Sequence, residues 1–206
     1  MSKITKTALI IVDVQNDFCS GGSLAVPDAD AIIPVINDLR QSLKPDLVVL
    51  TQDWHPEGHS SFVPTGPWPP HCVQGTTGAA FHPSLTVLPT DIIIQKGTKV
   101  EVDSYSGFGT KLFKDPPIER TGLEGILCKN DIRYVYVVGL AFDYCVVATA
   151  TDAREYAYTT VIRNATRAVS CETAAKAEAE LKAAKVNILE EYTEEAITKH
   201  NDRMCC

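Results

Sequence analysis

Six short apolar runs, separated mostly by helical patterns, constrain this chain more than any other feature. They are Thr7-Ala-Leu-Ile-Ile-Val-Asp13, Asp46-Leu-Val-Val-Leu-Thr-Gln-Asp53, Asp91-Ile-Ile-Ile-Gln-Lys96, Arg133-Tyr-Val-Tyr-Val-Val-Gly139, Thr159-Thr-Val-Ile-Arg-Asn164 and Val186-Asn-Ile-Leu189. Continuous β-branched runs of this length are expected of strands buried on both faces. Between the first two, Ile32, Val35, Ile36, Leu39 and Leu43 recur at helical spacing, with Asp28 or Asp30 placed to cap the helix. Pro34 must then lie in the first turn or two. Further helices are predicted from about Tyr144 to Ala157 and from Ser170 onward, with Glu172 in the first turn, and a polar helical tail follows Leu189. Strands alternating with helices form βαβ units. The predicted fold class is therefore α/β, a three-layer sandwich with a six-stranded parallel sheet and helices on both faces. No repeat or low-complexity block divides residues 1–206, which read as a single domain. Only residues 54–89 break the rhythm: this proline-rich stretch holds four of the five histidines. A loop so long inside a compact domain is usually functional, and it reads as an ordered excursion over one edge of the sheet.

A net charge of −7 argues against nucleic acid and anionic membrane as primary partners. No apolar run approaches the ~20 residues of a membrane span, and Met1–Lys6 leads into the first strand with no room for a signal peptide. The seven cysteines (19, 72, 128, 145, 171, 205 and 206) are odd in number and lack C-x-x-C spacing. They read as reduced thiols of a cytoplasmic protein, the nucleus also being open. Most should be small core hydrophobes, and Cys205-Cys206 carries no prenylation box. A homo-oligomer is compatible with the sequence.

Ligands of open parallel sheets bind outside the carboxyl ends of the strands. Polar residues follow four of the runs there: Asp13, Asp53, Lys96 and the Ala141–Cys145 turn. A lone aspartate at such a place often only caps a turn, and a lone cysteine is often buried filler. Four polar endings on one rim point to a shared site. A helix N-terminus at Cys145 would favour thiolate; Asp13 could accept the thiol proton, and Lys96 could hold the charge on acid and sulfur. Asp53 and His55, two apart on an extended segment, face one side, and the loop can return His71 to them. Two imidazoles and a carboxylate with open positions suit a catalytic divalent metal, zinc first, with iron or manganese allowed; hydrogen-bonded surface histidines are the plainer alternative. His59 reads as supporting or structural, while His82 and His200 carry no signal. The first turn lacks G-x-G-x-x-G, and neither a phosphate-binding G-x-x-x-x-G-K-[ST] loop nor a G-x-S-x-G elbow occurs.

Several segments together carry a family resemblance. They are Ile10-Ile-Val-Asp-Val-Gln-Asn-Asp-Phe18, Asp53-Trp-His-Pro56, Trp68-Pro-Pro-His-Cys-Val-Gln-Gly75, Lys96-Gly97, Asp103-Ser-Tyr-Ser-Gly-Phe108 and Gly139-Leu-Ala-Phe-Asp-Tyr-Cys-Val146. In this order they resemble the nicotinamidase/pyrazinamidase family of isochorismatase-like cysteine hydrolases. The resemblance implies the isochorismatase-like hydrolase fold, Asp13, Lys96 and Cys145 as catalytic triad, and Asp53, His55 and His71 as metal ligands. It also implies that Phe18 and Trp68 flank a pyridine ring. A cis Leu140–Ala141 bond would bring the Ala141 and Cys145 N–H groups together as an oxyanion hole. The implied reaction is hydrolysis of nicotinamide, with pyrazinamide as a second substrate, through a thioester in NAD salvage. Two departures stand out. Phe62-Val-Pro-Thr65 offers no glutamate as a fourth metal ligand, so water would complete the shell, and Phe142 replaces the threonine of many relatives. Vinyl-ether hydrolysis needs no thiol, N-carbamoyl hydrolases usually lack the D-x-H…H set, and a redox sensor would not need the acid and lysine.

Overall fold

The computed structural model describes residues 5–110 and 120–193. Its elements are β1 (Lys6–Val12), α1 (Ile32–Leu43), β2 (Leu47–Asp53), β3 (Ile92–Lys96), α2 (Leu123–Lys129), β4 (Ile132–Gly139), α3 (Val147–Ala153), β5 (Tyr158–Thr166), α4 (Cys171–Ala183) and β6 (Asn187–Leu189). The strands form one sheet in the order β3-β2-β1-β4-β5-β6, with every pairing parallel. The chain builds outward from β1 to β3, then returns to lay β4 on the other side of β1. Strand order thus reverses between β1 and β4, and a crevice opens at their carboxyl ends.

Residues alternate between the faces of β1. Leu9 and Ile11 pack with Ile32, Ile36 and Leu39 of α1. Ala8, Ile10 and Val12 pack with Leu123 and Leu127 of α2, Ala150 and Ala153 of α3, and Leu181 of α4. Both faces of the central strand are covered, so its run needs no polar residue, and each large side chain buried contributes roughly 1.5–3 kcal/mol. No helix among the described residues is long and apolar enough to cross a membrane, and the five cysteines described are all free thiols.

Two local expectations are corrected, and one helix, α2, is added. Neither Asp28 nor Asp30 caps α1. Asp28 is left-handed (φ 58°) and pairs with Arg167 at 2.9 Å, Asp30 accepts hydrogen bonds from Ser20, and Ala31 takes the cap position. The first part of segment 54–89 runs beside the edge strand β3, with Trp54 N–H donating to Lys96 O and Ser60 N–H to Val100 O, and Cys72, Ala79 and Leu85 then join the apolar cluster on the α1 side. Asn37 of α1 fastens it by hydrogen bonds with Ser84 O and Thr86 N at 2.9 Å each. The helix expected from Tyr144 to Ala157 is instead a wide π turn, Phe142–Val146, running into α3, which ends at Ala153. The seven-residue α2 has only two fully inward side chains, Leu123 and Leu127, too few to reveal a period in sequence. Pro34 sits in the first turn of α1 and Ser170 caps α4 by accepting from Thr173 N, both as expected. The tail helix, His200 and Cys205-Cys206 lie outside the described residues.

Gly139 ends β4 at φ +112°, and a Cβ there would stand 2.1 Å from Val12 O. Only glycine lets β1 and β4 meet at this point. Gly139→Ala should cost at least about 2 kcal/mol, lowering Tm by roughly 4–8 °C. Thermal denaturation of the variant checks this, and an unchanged Tm would contradict it.

Candidate active site

Three neighbouring strands deliver one ion cluster to the crevice. Lys96, the last residue of β3, is fully buried. Its Nζ lies 3.0 Å from Asp13 Oδ2, contacts Asp53 Oδ1, donates to Ser104 O at 3.1 Å, and lies 3.5 Å from Cys145 Sγ. Parallel register sets this up, because Asp53 and Lys96 are paired residues at the ends of β2 and β3. Asp13 follows β1 in a left-handed conformation (φ 47°). Its N–H donates to Thr51 Oγ1 at 3.2 Å, and the Thr51 hydroxyl donates to Asp13 Oδ1 at 2.6 Å. Ligand-type atoms of Asp13, Asp53 and Cys145 all lie within 4.8 Å of one another. The three groups expected to form a triad therefore meet.

Burial pushes the Asp13 carboxyl up, outweighing the opposing attraction of Lys96. Burial also works against ionising Asp53, but Lys96 and then His55 outweigh it and hold that carboxyl below the usual range. Lys96 stays protonated well beyond an ordinary lysine because the two carboxylates overcome its burial. The Cys145 thiol goes the other way from the expectation. It lies inside the π turn, and burial, opposed by Lys96 and reinforced by Asp13 and Asp53, lifts it well above an ordinary thiol. Burial therefore disfavours charge on both Asp13 and Cys145, and Lys96 counters it at each.

Asp53, His55 and His71 place their ligand atoms within 4.8 Å of one another. The Nδ1–H of His55 donates to Gly97 O at 2.9 Å, and the Nδ1–H of His71 to Pro69 O at 2.8 Å. Each imidazole therefore offers a bare Nε2, the tautomer a metal needs. Lys96 occupies Oδ1 of Asp53, while Oδ2 lies 3.6 Å from His55 Nε2. Burial keeps His71 below the ordinary imidazole value, whereas contact with Asp53 outweighs burial and raises His55. These residues fit a divalent cation. Gly97 must be glycine, since a Cβ there would lie 2.4 Å from the His55 ring. His59 stacks on His55 with ring centroids 4.0 Å apart, and its two nitrogens are taken by Ser61 Oγ at 2.6 Å and Val102 O at 3.1 Å. It supports the cluster, as its sequence position suggested.

A cleft joins the two sets: Phe18, Trp68, Ala141, Tyr105 and Tyr144 line it together with Asp53, His71 and Cys145. The Leu140–Ala141 peptide is cis. Sequence reasoning did not single out Tyr105, Tyr144, Thr51 or Gln15. The indole N–H of Trp68 donates to Tyr105 Oη at 3.1 Å, and the Tyr144 ring packs edge-on to Trp68. Gln15 Nε2 donates to Asp53 O and to Ala79 O, and Gln15 Oε1 accepts Asp53 N–H, each at 2.8 Å. Strand alternation could have revealed Thr51, which shares a face with Asp53; nothing local marks Gln15.

Removing the ammonium should strand two buried carboxylates. Lys96→Met should destabilise the fold by about 3–5 kcal/mol at neutral pH. Without Lys96 both acids titrate above their unfolded value of ~3.9, so the folded variant binds protons that the unfolded chain releases and loses stability as pH rises. In the unsubstituted protein the ammonium is charged in both states below ~10, so its contribution is constant there. The gap between the two proteins in urea denaturation should widen from pH 5 to pH 8, and a gap that stays constant would contradict this account.

Comparison with known proteins agrees with this geometry. The isochorismatase domain family matches residues 7–191. A nicotinamidase of Acinetobacter baylyi is 45% identical over 170 residues, covering 74% of this chain and 77% of that protein. PnC1 from L. infantum, solved in complex with nicotinate, is 42% identical with a TM-score of 0.84, over 90% of this chain and 92% of that one. A pyrazinamidase of Pyrococcus horikoshii, solved in complex with zinc, is 39% identical with a TM-score of 0.80, over 91% and 99% of the two chains. With the family match spanning all six strands and the thiol, acid and lysine in contact at their ends, this chain belongs to the isochorismatase family.

Proposed function

We propose that this chain is a nicotinamidase of the cytoplasm, hydrolysing nicotinamide to nicotinate and ammonia through a thioester on Cys145 in NAD salvage. One observation carries the reading: the Lys96 ammonium lies within reach of both Asp13 (3.0 Å) and Cys145 (3.5 Å), in a cleft shared with Asp53 and His71. The relatives' names, nicotinamidase and pyrazinamidase, and the nicotinate bound in one of them support the substrate. Phe18 and Trp68 take the pyridine ring between them, and pyrazinamide, equally flat, fits the same slot. Asp53, His55 and His71 hold a divalent metal, zinc by analogy with the pyrazinamidase neighbour. When bound, such an ion supplies a Lewis acid for the ring nitrogen, drawing electron density from the carboxamide carbon.

The chain's own residues do the rest. Asp13 takes the Cys145 proton as sulfur attacks the carboxamide carbon. The Ala141 and Cys145 N–H groups hold the developing oxyanion, a donor of this kind being worth roughly 3 kcal/mol of barrier. Asp13 gives its proton to the departing nitrogen, and ammonia leaves the thioester. Water then attacks the acyl carbon while Asp13 takes its proton. Nicotinate leaves, and the proton returns to sulfur. Lys96 remains charged throughout and holds acid and thiol in register.

Cys145→Ala should release no ammonia from nicotinamide while keeping the Tm of the parent within a few degrees. A variant as active as the parent would end the thioester mechanism. Dialysis against a chelator should raise KM for nicotinamide at least as strongly as it lowers kcat, with zinc restoring both. Full activity in metal-free protein would make the Asp53–His55–His71 cluster purely structural.

A further inference from the structure

We infer that Thr51 is a positioning residue that selects which oxygen of Asp13 exchanges a proton with Cys145; this rests on the proposed amide hydrolysis. Thr51 is fully buried in β2 and is not among the residues that line the cleft. Its hydroxyl is engaged in both senses by one residue. It accepts the Asp13 N–H at 3.2 Å, so its single proton must point away, and it donates that proton to Asp13 Oδ1 at 2.6 Å. The Asp13 amide also reaches Thr51 O at 3.3 Å, extending the β1–β2 ladder one residue beyond the strand. Backbone and carboxylate of the acid are thereby clamped from one side.

The clamp divides the two oxygens. Oδ1 is occupied by the Thr51 hydroxyl, while Oδ2 receives neither hydroxyl nor backbone N–H and faces Lys96 Nζ at 3.0 Å. Turning the carboxylate to exchange them would break the Thr51 bond, between two side chains that are both fully buried. Oδ2 is therefore the oxygen that takes the proton as the Cys145 S–H bond breaks and the sulfur–carbon bond forms. It is also the oxygen that hands the same proton to the leaving nitrogen. Threonine rather than serine suits the role because a β-branched side chain has few rotamers. Its Cγ2 is held against Gly107, where a Cβ would come within 2.7 Å.

The test compares kcat and KM for ammonia release from nicotinamide in zinc-loaded protein. Thr51→Val keeps shape and methyl but removes the hydroxyl, whereas Thr51→Ser keeps the hydroxyl. Thr51→Val should lower kcat at least tenfold with KM within twofold, and Thr51→Ser should keep at least a third of kcat. Should the valine protein not fold, judged by near-ultraviolet circular dichroism, Thr51→Ala replaces it, with kcat expected to fall at least threefold at constant KM. Parental kcat in the valine or alanine protein overturns the inference. So does a serine protein as impaired as the valine one, or a loss confined to KM. If the parent itself releases no ammonia from nicotinamide, the substrate reading falls and this inference with it. An active parent beside an equally active valine protein removes only the role of Thr51.

Discussion

An ammonium buried without water organises this molecule. Lys96 is fully enclosed, and a charge so placed is tolerable only among close counter-charges and acceptors. Asp13 and Asp53 supply the charges, and the Ser104 carbonyl accepts a further N–H hydrogen bond. These partners come from the ends of two adjacent strands, β1 and β2, and from the loop after β3. Sheet order and register are thus coupled to electrostatics: a one-residue slip of β3 would turn Lys96 to the opposite face and leave two acids bare.

The same ammonium joins what would otherwise be two separate sites. Through Asp53 it borders the histidine cluster, and through Asp13 it borders the Cys145 side. Strand order places both halves beside the reversal between β1 and β4, where adjoining loops diverge and leave room for a small ring. The first half rests on the long loop and the second on the wide turn before α3. The substrate cleft is the gap between these two supports, with Trp68 and Tyr105 joined across its mouth.

Much of this was legible in the sequence, for identifiable reasons. Strands buried on both faces have no choice but to be continuously apolar, so Ala8–Val12 and Val135–Val138 announced themselves. Their polar ends, Asp13, Asp53 and Lys96, stood out against that background. What stayed hidden depended on partners distant in the chain. Asp28 looked like a helix cap, but Arg167 lies 139 residues away and draws it elsewhere. The thiol looked primed by a helix, but its surroundings, two carboxylates and an ammonium, are assembled only by the tertiary fold. The packing of Cys72, Ala79 and Leu85 on the α1 side stayed hidden because they are too scattered to advertise an apolar face. Gln15 looked like one polar residue among several.

That glutamine has a wider consequence. Its single amide grips the main chain at Asp53 and Ala79 while its own backbone follows directly from Asp13. The segment bearing Asp13 and the segment bearing the histidines therefore cannot drift independently over evolutionary time. A substitution that shifts either one displaces the other, so tolerated changes in these loops should arise in correlated pairs, and a loop grafted from a relative should function only when both segments travel together.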